Sequence, residues 1–154
     1  NERRKIMGLD MYLRGSHYNS EHSHKGDIKR PMLENKYNIS DYNIEFGYWR
    51  KHPDLHGYIV KEFAKGEDNC QAIALTETDI DKIIMAIRDD KLLKDHSGFF
   101  FGNSKQNEYY KPEEKNYAIN CFEKAKQFLI DGKKMYKDQK LFIEPREVHY
   151  RASW

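Results

Sequence analysis

The chain has 154 residues, enough to bury a core without metals or disulfides. Charged residues make up 34% and apolar ones only 38%, so eleven Tyr, eight Phe and two Trp must supply much of the buried area, with the polar-tipped rings at the core boundary. A net charge of +2 gives no general grip on duplex DNA or a membrane surface, and no apolar run approaches a bilayer span.

The polar residues 1–6 are expected to be an extension ahead of a single domain, 7–154. No signal-peptide pattern is visible, and Cys70 and Cys121 lie in apolar-patterned segments as small buried hydrophobes. A cytoplasmic, reduced setting is the expectation. The first regular stretch, Gly8 to Arg14, alternates: Leu9, Met11 and Leu13 share one face, Asp10, Tyr12 and Arg14 the other. A polar segment from Gly15 to about Asp41 reads as a long surface loop with a short helix near Met32-Leu33. His17, His22 and His24 within it lack a second ligand cluster at short spacing, so no metal site is predicted.

Tyr42 to Pro53 opens as a strand, and Pro53 suits the first position of a helix running to Ala64. Trp49-Arg50-Lys51, just ahead of that helix, is the densest aromatic-plus-cation cluster in the chain. It reads either as a core tryptophan with two solvated cations, or as an anion pocket at the helix start. Asn69 to Leu75 reads as a strand; Thr76 then caps a helix, with Asp79 at the reciprocal position and Ile80, Ile83, Ile84 and Ile87 as its core stripe.

Ser97 to Ser104 carries three consecutive phenylalanines between glycines. Side chains alternate across a strand, so either both faces of Phe99-Phe100-Phe101 are covered or one ring lines a cleft. The flanking residues do not make a phosphate loop, so the segment reads as an aromatic platform or a buried strand. Pro112 opens the longest helix, with Tyr117, Ala118, Cys121, Phe122, Ala125, Phe128 and Leu129 toward the sheet and Gly132 as its end. Leu141-Phe142-Ile143 reads as a short strand or strand entry. Val148 to Trp154 then alternates, with His149, Arg151 and Ser153 on one face and Val148, Tyr150, Ala152 and Trp154 on the other. Its expected neighbour is the strand from Gly8.

The predicted architecture is α+β: a small, mostly antiparallel sheet with about three helices packed on one face. Residues beyond what a core requires are cations, rings and hydrogen bonders, a set that suits an anionic planar ligand such as a nucleotide. The expected ligand-binding residues are Trp49, Arg50, Lys51, His56, Ser97, Phe99, Phe101, Arg151, Ser153 and Trp154, with at least two of their three clusters converging. His56 is the candidate general base, with Glu45 or Asp10 as partner, although Asp10 reads better as a structural ion pair with Arg151. Cys70 near His56 in sequence is read as buried and not nucleophilic. No cofactor motif stands out, and a homo-oligomer stays open.

The segments 7–13 (Met-Gly-Leu-Asp-Met-Tyr-Leu), 47–51 (Gly-Tyr-Trp-Arg-Lys), His56-Gly57, Asp68-Asn69-Cys70, 97–102 (Ser-Gly-Phe-Phe-Phe-Gly) and 150–154 (Tyr-Arg-Ala-Ser-Trp) resemble, in this order, a family of small proteins carried mainly by bacteriophages and some bacteria. The resemblance covers nearly the whole chain from Met7, and the family has no settled activity. Its carriers imply a phage counter-defence factor that sequesters a host signal. Some members bear the label phosphoglycerate kinase, which this chain does not support, being too short and without a nucleotide-phosphate loop. The expected function is small-molecule binding without turnover. The alternatives are a hydrolase or transferase on a phosphate substrate, using His56 with Arg50 or Arg151, and a protein inhibitor of a host partner.

Overall fold

Alternation along both expected end strands requires a partner for their apolar faces, and the computed structural model, which describes residues 8–19, 31–93 and 101–154, provides it. Strand β1 (Asp10–Tyr18) lies between β4 (Asp41–Arg50) and β6 (Arg146–Ser153), antiparallel to both. The short β5 (Ile73–Ala74) extends the sheet beyond β6, giving the order β4-β1-β6-β5. A separate two-stranded hairpin pairs β2 (Met32–Leu33) with β3 (Tyr37–Asn38). With three helices among the described residues, the fold is α+β and its sheets are antiparallel, as the sequence predicts.

The helices are α1 (Pro53–Phe63), α2 (Glu77–Arg88) and α3 (Pro112–Asp138). Helix α2 starts with the predicted capping box: Thr76 accepts from the Asp79 N–H while the Asp79 carboxylate accepts from the Thr76 N–H. Its stripe of Ile80, Ile83, Ile84 and Ile87 is buried. Met11, Leu13, Trp49, Val148, Tyr150 and Ala152 point from the sheet into the same core, against Ala118, Cys121, Phe122, Ala125 and Phe128 of α3. None of the described helices is long and apolar enough to cross a membrane.

Several boundaries differ from the sequence expectation, each for a local reason. Strand β1 continues to Tyr18 instead of yielding to a loop at Gly15. Gly15 serves packing there: a Cβ would lie 2.7 Å from Phe46 and 2.9 Å from Phe128. Opposite it, β4 carries an extra residue, where pairing shifts from Leu13↔Gly47 to Arg14↔Glu45. That bulge turns Phe46 onto the core side, edge-on to Phe128.

The helix expected near Met32-Leu33 is the β2–β3 hairpin, because Glu34 and Asn35 both take left-handed dihedrals (φ 55° and 53°) and close a tight turn. The strand expected over Asn69–Leu75 shrinks to Ile73–Ala74. Cys70 is left-handed and only partly buried, and Gln71 folds back to accept from the Asn69 N–H and donate to the Glu67 carbonyl. Helix α3 runs past Gly132 to Asp138, since Gly132 makes room for Arg146, whose Cβ and Cδ lie 2.8 Å from where a side chain would start. Leu141-Phe142-Ile143 forms no strand, and Phe142 is 82% exposed.

Candidate functional site

The sheet divides the polar residues of the chain into two groups. One group lies beneath it, at the start of α1. His52 precedes Pro53, which keeps it out of the helical region (φ −111°, ψ 72°), and it offers no side-chain cap. Ser104 supplies the missing acceptor, taking the Asp54 N–H at 3.0 Å, and its hydroxyl lies 2.8 Å from Nδ1 of His52. The His52 ring stacks on Tyr109 at 4.2 Å, nearly parallel, and its burial pushes its pKa down to about 3. The His52 ring is therefore neutral, and its Nδ1 and the Ser104 hydroxyl share one hydrogen bond. Asp54, also buried, takes the hydroxyl of Tyr110, which burial and then that carboxylate hold well above the ordinary tyrosine range. The helix start expected to hold an anion is thus filled by Ser104 and by the chain's own Asp54.

One turn on, His56 is 2% exposed with both ring nitrogens engaged. Nδ1 lies 2.6 Å from the Tyr150 hydroxyl, and Nε2 lies 3.0 Å from both oxygens of Asp68. The partner of His56 is therefore Asp68, not Glu45 or Asp10. Tyr150 is wholly buried and its hydroxyl is raised well above its usual pKa, so it stays a donor and fixes the chain Tyr150 O–H to Nδ1, Nε2–H to Asp68. Phe101 and Trp154 each stand edge-on to the His56 ring at 5.7 Å and to one another at 5.5 Å. Trp49 lies 1% exposed in the core, stacked on Phe122 at 5.6 Å.

The second group lies on the opposite, outer face of the sheet. Cross-strand register places Tyr12 at its centre, opposite Tyr48 on β4 and Arg151 on β6. The Tyr12 and Tyr48 rings are 5.3 Å apart and tilted, and the Arg14 guanidinium lies over the Tyr12 ring at 4.1 Å. Asp10, one pleat away, pairs with Arg50 at 2.9 Å and accepts the Tyr48 hydroxyl at 2.5 Å. Burial, then this carboxylate, raises Tyr48 to about 12. The expected Asp10–Arg151 pair does not form: across β6 the residue opposite Asp10 is Ser153. Arg151 instead donates from Nε to the Cys70 carbonyl at 3.0 Å. Among the described residues neither Arg14 nor Arg151 has a carboxylate partner. His149, opposite Arg14, has its pKa lowered by burial and then by Arg14, so it leaves the positive charge to the arginines.

The expectation is that at least two of the three segments share one concave surface; among the described residues, the contact seen between them is at one end of the sheet. Phe101 touches Trp154, and Gly102 (φ 77°) passes so close to Lys51 that a Cβ would lie 2.8 Å from its side chain. Their side chains still part company: Arg50, Arg151 and Ser153 belong to the outer face, while Trp49, His56 and Phe101 pack beneath or at its end. Ser97 and Phe99 lie outside the described residues. Tyr12, Arg14 and Tyr48 are absent from the expected binding residues, though their signal is a period of two: Tyr12-Arg14 and Tyr48-Arg50 each share a face. His17 takes the Arg146 Nε–H on Nδ1 at 3.0 Å, and among the described residues no group of three or more His, Cys, Asp or Glu is arranged to hold a metal. Family models, curated proteins and solved structures gave no match to the chain.

Proposed function

We propose that the protein binds a planar, anionic, nucleotide-like molecule on the outer face of the sheet. The carrying observation is the surround of Tyr12: a second ring, Tyr48, at 5.3 Å, and two arginines, Arg14 and Arg151, with no carboxylate partner among the described residues. A ring system stacks on the tyrosines, and a phosphate takes paired N–H donors from the guanidinium groups. Asp10 and Ser153 at the edge of the platform supply an acceptor and a hydroxyl for sugar or base. Binding without turnover is favoured because the histidine expected as base, His56, lies under the sheet with both nitrogens taken. His149, neutral beside Arg14 on the outer face, is the group a turnover reading would have to use. On this reading the resemblance to phage-borne proteins gives the ligand a role as a host signal withdrawn from circulation.

Native mass spectrometry of the purified protein tests the proposal. It should retain a phosphate-bearing small molecule that is released chemically unchanged, and added mononucleotides should bind more tightly than their nucleosides. A protein that carries no ligand and binds neither, or one that releases an altered molecule, overturns it.

A further inference from the structure

Strand β4 is an outer strand of the sheet, and its free edge is treated differently along its two halves. At Tyr48 and Arg50 the outward backbone groups meet tyrosine hydroxyls. Tyr109 Oη accepts the Arg50 N–H at 3.1 Å and donates to the Arg50 carbonyl at 2.5 Å. Tyr117 Oη stands in the same position at Tyr48, 3.3 Å from its N and 3.5 Å from its O. Each hydroxyl replaces one residue of a neighbouring strand. Among the described residues, nothing does this for 41–46. The antiparallel alternation, carried through the bulge, turns the backbone groups of Asp41, Asn43 and Glu45 outward there. A groove of about 480 Å³ runs along this half, lined by Ile44, Glu45 and Phe46 on one side and by Lys124, Gln127 and Asp131 of α3 on the other.

We infer that this half of β4 pairs antiparallel with β4 of a second copy, joining two sheets across a two-fold axis at Ile44. Three features favour a copy over a foreign strand. First, the register that sets Ile44 on Ile44 opposes Tyr42 to Phe46 of the second copy and the reverse. That makes an apolar ladder of ring and β-branched pairs on the core side. Second, the same register places outward-pointing Asn43 and Glu45 opposite each other, so the backbone bonds form at residues whose donors and acceptors are unused. An amide then faces a carboxylate there, and no two like charges meet. Third, the groove lies beside the middle of α3, so the two-fold brings Lys124 of one copy toward Asp131 of the other and completes the groove with charges of opposite sign. The tyrosine caps mark where the pairing stops: Tyr109 and Tyr117 occupy the places a longer partner strand would need.

Sedimentation over a concentration series, on the intact chain, tests this inference. The wild type should show a reversible monomer–dimer equilibrium. Asn43→Pro removes an outward N–H without touching a bond to β1, and should raise the dimer dissociation constant about tenfold or more. Because a proline can disturb folding, Ile44→Cys provides the second arm. Under mild oxidation it should give a disulfide-linked dimer joined 44 to 44, located by peptide mapping. A chain that stays monomeric at the highest soluble concentration overturns the inference. So does a dimer that Asn43→Pro leaves unchanged, or an edge that captures only a foreign extended peptide.

Discussion

The two faces of the sheet carry similar residue types in opposite arrangements. Beneath it, His56, Tyr150 and Asp68, with His52, Ser104, Asp54 and Tyr110, form short chains in which donors meet acceptors, with all but the exposed Asp68 and the half-buried Tyr110 out of water. On the outside, Tyr12 and Tyr48 lie beside Arg14, Arg50 and Arg151; Asp10 pairs with Arg50, and among the described residues neither Arg14 nor Arg151 has a carboxylate partner. A saturated buried network holds a fold together and has little left to offer a ligand, whereas a surface with surplus cations and a ring face gives up little stability to keep them. Polar residues clustered near a helix start are thus insufficient to mark a site; the proposed one rests on unspent hydrogen-bonding and charge capacity instead.

The contrast can be broken most forcefully from below. His56→Ala strands the Tyr150 hydroxyl and opens a cavity, so it should cost roughly 3–5 kcal/mol in urea unfolding. Binding by whatever remains folded should persist. Loss of binding with intact stability would reverse the assignment of the two faces. Next in size is the acid response. His52 has its pKa lowered from 6.5 to about 3 in the folded chain. The unfolded chain therefore takes up a proton first as pH falls. The contribution is complete above pH 6.5 and is lost between 6.5 and about 3, at up to roughly 1.4 kcal/mol per pH unit. His17 and His149, lowered by burial first, act in the same direction. His52→Asn should flatten the stability–pH slope in that window, and an unchanged slope would mean that His52 is not held neutral.

Effects on the outer face should appear in affinity, not stability. Tyr12→Ala and Arg151→Lys should each weaken nucleotide binding by roughly 1–3 kcal/mol in titration calorimetry, with thermal midpoints nearly unmoved. A collapsed midpoint with unchanged affinity would make them structural. The smallest expected change is at Asp10. Asp10→Asn removes the carboxylate paired with Arg50, and should tighten binding of a phosphate ligand severalfold while costing at most about 1 kcal/mol of stability for the partly exposed pair.

What could be read from the sequence follows physical range. The capping box at Thr76–Asp79, the isoleucine stripe of α2 and the alternation of Leu9-Met11-Leu13 are local patterns, and each appears as written. The adjacency of β1 and β6 follows from two apolar faces that need the same core. The partners of Asp10 and His56 did not follow, because register decides them. The β4 bulge at Phe46 and the left-handed Cys70 determine which groups meet, and neither has a local signal strong enough to predict it. Trp49 misled for a related reason: its flanking cations suggested a pocket, yet the pleat sends Arg50 outward and the indole inward. The platform was half visible, since Asp10, Tyr12 and Arg14 alternate onto one face.

An amide NMR titration with a panel of 5′-mononucleotides tests most directly whether the outer face is the binding surface. Saturable shifts should concentrate at Tyr12, Arg14, Tyr48, Arg50, Arg151 and Ser153, with Leu55, His56 and Asp68 unmoved. Shifts centred on His56 and Asp68, or no shifts at millimolar nucleotide, would contradict binding on that face.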